Sequence, residues 1–135
     1  MRILAVDDSE DARDLTEAAL LSAGYTDIVT AESAWDAFKL LDLGHTNGRR
    51  PTFDLMLLDV VMPDIDGIEA CARIRNDPGH ADLPIIMVTS LDDMGSLDNA
   101  FVAGANDYIT KPFSRDVLLA RIRAALRNSA RRDEG

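Results

Sequence analysis

Three carboxylates, a pair of hydroxyls and one ammonium stand out in this chain, because each follows a short apolar run. Asp7 and Asp8 come after Ile3-Leu4-Ala5-Val6, and Asp59 comes after Asp54-Leu55-Met56-Leu57-Leu58. Thr89 and Ser90 come after Pro84-Ile85-Ile86-Met87-Val88, and Lys111 and Pro112 after Asp107-Tyr108-Ile109-Thr110. A single aspartate after a strand is an ordinary helix cap. Two adjacent ones joined by a third from another strand are different, because carboxylates held together repel and raise each other's pKa unless something positive intervenes. A hard divalent cation with oxygen ligands, of the Mg²⁺ type, suits such a group. Add Lys111 and the Thr89 hydroxyl, and the set can neutralise a phosphoryl group, whose transfer depends on positioning and charge stabilisation.

That reading requires the elements to bring these positions to one rim. With Ile28-Val29-Thr30-Ala31 there are five β-type runs, mostly continuously apolar, as expected of strands buried on both faces. Between them the apolar residues take helical spacing, as at Ala34, Ala37, Phe38 and Leu41 and at Leu118, Ile122, Ala125 and Leu126. Ser33 and Ser114 stand where the second and last helices should begin, and Gly24 and Gly104 where the first and fourth should stop. Leu91-Asp92-Asp93 is expected to open the fourth helix. The prediction is a single α/β domain, a doubly wound (βα)5 unit with a five-stranded parallel sheet flanked by five helices. Ligands of such sheets gather beyond the carboxyl ends of the strands, where the strand order reverses. Residues 1–128 form the domain, Gly44 to Pro51 is a polar connection, and 129–135 is a charged tail expected to be mobile.

Composition narrows the function. The chain has 135 residues, 47% hydrophobic, with a net charge of −10, which excludes a disordered segment and disfavours direct binding to nucleic acid. No apolar stretch approaches the roughly 20 residues that span a bilayer, so no membrane association and a cytoplasmic location are expected. The lone Cys71 excludes an internal disulfide and reads as a buried thiol. His45 and His80 have no Cys or His beside them to make a zinc site and are expected in solvent, as are Arg49 and Arg50. Trp35, one step off its helical stripe, reads as partial packing.

Four segments in order carry a family resemblance, from about Arg2 to Arg127. Asp59-Val60-Val61-Met62-Pro63-Asp64-Ile65-Asp66-Gly67 is similar to the D-x-x-M-P-x-x-D-G segment of response-regulator receiver domains, and Val6-Asp7-Asp8 resembles their acidic pair. Val88-Thr89-Ser90 resembles the hydroxyl site on their fourth strand, and Tyr108-Ile109-Thr110-Lys111-Pro112-Phe113 their switch tyrosine and K-P-F. The resemblance implies a flavodoxin-like sheet of order 2-1-3-4-5 and a two-component phosphorylation switch. Asp59 would accept a phosphoryl group from a sensor histidine kinase or phosphotransfer protein. Asp8, Asp59 and the Val61 carbonyl would bind Mg²⁺, with Asp7 acting through water. Lys111 would pair with Asp59 before transfer and with the phosphoryl group after it. Thr89 and the Ser90 amide would hold phosphoryl oxygens, Thr89 and Tyr108 would carry the switch, Gly67 would start the third helix, and the Lys111-Pro112 bond would be cis.

Departures from the family pattern matter as well. Ser90 replaces the usual alanine, with little change expected because both are small enough to let the phosphoryl group approach; the side chains two beyond the acceptor and two beyond the threonine, Val61 and Leu91, are apolar, and these two imply slow self-hydrolysis of the phosphorylated form. Leu91 to Ala103 contains no Lys or Arg, which weakens the salt-bridged dimer of the winged-helix regulators while leaving another homodimer open; Asp107, Arg121 and Arg123 could supply part of that charge set. An output domain in a longer parent protein is compatible with the sequence. The competing readings are a Mg²⁺-dependent aspartyl-phosphate phosphatase of the haloacid-dehalogenase kind, which needs an Asp-x-Asp after its first strand, and a docking module that is never phosphorylated.

Overall fold

The computed structural model describes residues 1–45 and 53–134; the side chains of Leu91, Met94 and residues 129–134 lie outside that description, as does most of the polar connection including Arg49 and Arg50. The strands are β1 (Arg2–Val6), β2 (Asp27–Ala31), β3 (Leu55–Asp59), β4 (Ile85–Ser90) and β5 (Asp107–Lys111). All pairings are parallel and the order is β2-β1-β3-β4-β5, the expected one. The helices are α1 (Glu10–Ser22), α2 (Ala34–Leu40), α3 (Gly67–Asn76), α4 (Leu97–Val102) and α5 (Arg115–Glu134).

Side chains alternate across the strands, so the continuous apolar runs feed two cores. Leu4, Val6, Met56, Leu58, Ile85 and Met87 pack under α2 and α3 with Ala37, Phe38, Cys71 and Ile74. Ile3, Ala5, Leu55, Leu57, Ile86, Val88 and Ile109 pack on the other face with Leu20, Leu118 and Ile122. The caps sit as the sequence implies: Ser33 Oγ accepts from Asp36 N at 3.1 Å and Ser114 Oγ from Val117 N at 3.1 Å. Asp66 Oδ1 accepts from Glu69 N at 2.8 Å and so caps α3, whose first residue is Gly67.

Three expectations are corrected. Three strands run one or two residues further than their apolar runs, so Asp59, Thr89, Ser90 and Lys111 end strands rather than follow them; parallel pairing continues through Asp59↔Val88, Thr89↔Thr110 and Ser90↔Lys111. Leu91–Ser96 is a 3₁₀ segment, and α4 begins only at Leu97. Gly95 disfavours a helix interior there, and Asp93 is turned back to Ser90. The backbone of α5 runs on through Glu134, into the stretch read as a charged tail, which leaves that expectation neither supported nor overturned. His80 is 1% exposed rather than in solvent, paired through Nδ1 with Asp77 Oδ2 at 2.5 Å. Arg75 holds that corner, donating to the carbonyls of Gly104 and His80 at 2.9 and 3.0 Å and to Asn106 Oδ1 at 2.6 Å. Cys71 is buried, which pushes its thiol pKa up against the opposing influence of Arg75. Trp35 is half exposed, edge-on to Phe38 with the Arg73 guanidinium 5.7 Å from its ring.

Candidate functional site

Strand order reverses between β1 and β3, which run side by side while their following crossovers turn to opposite edges of the sheet. Asp7 and Asp8 leave the end of β1, and Asp59 ends β3 beside them. Asp7, Asp8 and Asp59 each present a carboxylate oxygen within 4.8 Å of the others. Asp59 is 7% exposed. Its Oδ1 accepts from Val61 N at 3.4 Å and its Oδ2 from Lys111 Nζ at 3.5 Å.

Lys111 lies closer to Asp7, with Nζ to Oδ2 at 2.7 Å, than to the Asp59 partner the family resemblance implies. The other Asp7 oxygen accepts from Ser9 N at 3.0 Å, so both are occupied. Asp8 is exposed, and no hydrogen bond or ion pair engages it among the described residues.

Electrostatics follow from this crowding. Burial, and next the Asp7 charge, push the Asp59 carboxyl up to about 6, against the opposing pull of Lys111. Burial draws Lys111 down, yet its hydrogen bond to Asp7 and the charges of Asp59 and Asp7 outweigh that and leave the ammonium above its ordinary value. The site therefore holds a permanent cation beside an acid that gives up its proton reluctantly.

β4 and β5 deliver the remaining residues. Thr89 is 2% exposed, and its Oγ1 donates to the Ser90 carbonyl at 3.3 Å rather than reaching Asp59. Tyr108 is half buried, with Phe101 of α4 edge-on at 6.3 Å and the Arg121 guanidinium 5.9 Å from its ring. Arg121 also pairs with Asp107 at 3.5 Å within the chain. Val61 is exposed at the rim, and the Lys111-Pro112 bond is cis. Sequence reasoning missed Arg13, whose Nη1 donates to the Asp7 carbonyl at 2.8 Å, and Asp93, whose Oδ2 accepts from Ser90 Oγ at 2.6 Å. Nothing in their spacing marks either contact, since both depend on how a loop folds back.

Residues 3–123 match the response regulator receiver domain family. The chain is 38% identical over 130 residues to the DNA-binding dual master transcriptional regulator RpaA of Synechocystis sp., covering 96% of this chain and 51% of that protein. It is 41% identical over 135 residues to the response regulator MprA of Mycobacterium sp., covering 100% and 54%. The chain thus spans about half the length of these curated relatives. Among solved structures, a response regulator from Chloroflexus aurantiacus superposes with a TM-score of 0.82 at 34% identity, covering 93% of this chain and 96% of the other. The chemotaxis protein CheY4 of Vibrio cholerae superposes at 0.78 and 28% identity, covering 93% and 98%. With its sheet order, its acidic rim and these likenesses in agreement, the chain belongs to the response-regulator receiver domains of two-component signalling.

Proposed function

We propose that this domain is a phosphorylation switch in which Asp59 accepts a phosphoryl group from the phosphohistidine of a sensor kinase or phosphotransfer protein. The observation that carries the reading is the convergence of three carboxylates and one ammonium at the reversal point of the sheet. The carboxylate of Asp59 attacks phosphorus, the P–N bond to the donor imidazole breaks, and a P–O bond forms. Lys111 lies within reach of Asp59 and is fixed there by Asp7, so it can follow charge onto a phosphoryl oxygen.

The donor set fits Mg²⁺, being oxygen-only, with Asp8 free of other partners among the described residues and Asp59 short of compensating charge. Asp8, Asp59 and the Val61 carbonyl would hold the ion, with Asp7, already shared by Lys111 and Ser9, contributing indirectly. When bound, the ion supplies positive charge to the carboxylates and the incoming phosphoryl group.

The donor protein has a seat beside the site. A groove of about 500 Å³ is lined by Ala12, Leu15, Thr16, Ala19, Pro112 and Phe113 next to Lys111. The response leaves by the other side. To bond a phosphoryl oxygen, with help from the Ser90 amide, Thr89 must release the Ser90 carbonyl and turn toward Asp59, vacating space for the Tyr108 ring. Phe101 packs against that ring, and the surface of α4 around it, where Val102 is exposed, would report to an output domain or a second copy. Residues 1–128 act as the receiver unit in this scheme.

The test is incubation with Mg²⁺ and a small acyl phosphate. One equivalent of acid-stable, hydroxylamine-labile label, absent when Mg²⁺ is chelated, is expected. Continuous turnover of a phosphate ester would instead mark a phosphatase, and no labelling a docking module. A second expectation concerns lifetime. Val61 offers no polar group to orient attacking water, and Leu91 carries an apolar side chain that lies outside the described residues. A Val61→Asn, Leu91→Glu double variant should shorten the phosphoryl half-life by roughly tenfold, given that orienting a reactant is worth at least that factor; an unchanged half-life refutes the assignment.

A further inference from the structure

Ser90 is held on two sides. Its hydroxyl donates to Asp93 Oδ2 at 2.6 Å, and its carbonyl accepts from Thr89 Oγ1 at 3.3 Å. Asp93 lies in the 3₁₀ segment Leu91–Ser96, the stretch joining β4 to α4, and neither Ser90 nor Asp93 is fully exposed. A short hydrogen bond to a carboxylate, partly shielded from water, is among the stronger neutral-to-charged contacts a hydroxyl makes. It fixes the Ser90 side chain, and through it the peptide whose oxygen occupies the Thr89 proton.

We propose that Asp93 is a positioning residue for phosphoryl acceptance, acting through Ser90 to keep Thr89 bonded away from Asp59. The proposal rests on the reading of Asp59 as the acceptor. The consequence is a restraint on the reaction: Thr89 can turn to a phosphoryl oxygen only by giving up the Ser90 carbonyl. A Ser90 peptide anchored by Asp93 cannot yield to ease that exchange. The same bond ties the strand end carrying Thr89 to the segment leading into α4, whose Phe101 rests on Tyr108. Releasing it loosens the site and the switch face together.

A different route by which Asp93 could slow the reaction is plain repulsion between its charge and an anionic donor, and the choice of variants separates the two. With acetyl phosphate as donor in the full chain, Ser90→Ala and Asp93→Ala should each raise the limiting rate of labelling by about threefold, a part of what a hydrogen bond to a carboxylate can be worth. The donor concentration at half-saturation should stay fixed, and the double variant should be no faster than either single one. Asp93→Asn, which keeps an oxygen for the Ser90 hydroxyl but loses the charge, should bring the rate back most of the way to the wild-type value. Labelling of Asp93→Asn as fast as Asp93→Ala assigns the effect to charge and overturns the proposal. So do additive single effects, or single variants no faster than wild type. Wild-type protein that takes no label overturns this proposal and the acceptor reading together, whereas failure of the variants alone leaves the acceptor reading standing.

Discussion

An Asp59→Asn variant should lose all phosphoryl labelling and yet, in chelator at pH 7.5, be more stable than the wild type by about 1–3 kcal/mol. The label is lost because an amide cannot form the acyl phosphate. The gain in stability follows from the direction of the Asp59 shift. Its carboxyl stands at about 6 in the fold against an ordinary 3.8, raised first by burial and then by Asp7, and only partly relieved by Lys111. As pH rises, the unfolded chain releases this proton before the folded one does, so the folded state binds more protons between those two values. Stability attached to this group is therefore complete below about 3.8, falls through the interval to about 6, and stays reduced above it. Two units correspond to roughly 3 kcal/mol at most, with the relief from Lys111 already counted in the shift. Asparagine does not ionise and escapes the loss.

Magnesium should reverse the order. An ion bound only by the folded chain adds about 2.7 kcal/mol at a hundred times its dissociation constant, and the variant, short of one ligand charge, should gain less. Urea unfolding of both proteins at pH 4 and 7.5, with chelator and with Mg²⁺, decides the matter. A variant less stable than wild type in chelator at pH 7.5, or a difference that does not change with pH, would show that burial and Asp7 do not hold the Asp59 carboxyl above its ordinary value.

These effects locate what could be read in the chain and what could not. The rim was legible because it is written in short range: an apolar run of strand length followed at once by Asp7, Asp59, Thr89 or Lys111 leaves little choice of placement. Sheet order came from family likeness, and the pairings agree with it. His80 was misplaced because its burial is made by distant partners. Arg75 reaches Gly104 and Asn106 across the molecule, and Asp77, which also accepts from Gly44 N at 3.3 Å, closes the corner. No periodicity around a loop histidine encodes that. The preference of Lys111 for Asp7 over Asp59 is likewise a matter of under 1 Å, 2.7 against 3.5 Å, set by how the β1–α1 turn is pinned by Ser9 and Arg13. The late start of α4 goes with Gly95, a poor residue for a helix interior, and with Asp93 accepting from Ser90 rather than facing solvent.

Gly67→Ala should be the most damaging small substitution near the site, costing about 3 kcal/mol or more, the upper end for overpacking. A Cβ at Gly67 would lie 2.0 Å from the Asp59 carbonyl oxygen, 2.8 Å from its carbon and 2.9 Å from Val60 Cα, all of them backbone atoms at the strand end that carries the proposed acceptor. No side chain can swing aside. Gly67 N also donates to the Val60 carbonyl at 2.8 Å, so α3 is bonded to the chain it would have to leave. Either the first turn of α3 moves off β3, or the Asp59 peptide rotates and carries its carboxylate away from Lys111. Gly24→Ala is the comparison: its φ of +91° strains an alanine, but among the described residues no atom beyond its own chain neighbours lies within 4 Å of the added methyl. That strain alone is about 1–2 kcal/mol. Gly67→Ala should therefore unfold at lower urea than Gly24→Ala, and its labelling rate under folded conditions should fall by roughly tenfold or more, as misplacement of a reacting group by an ångström is enough to cause. Equal stabilities for the two variants, with labelling of Gly67→Ala intact, would mean that the close approach of α3 to β3 does not set the position of Asp59.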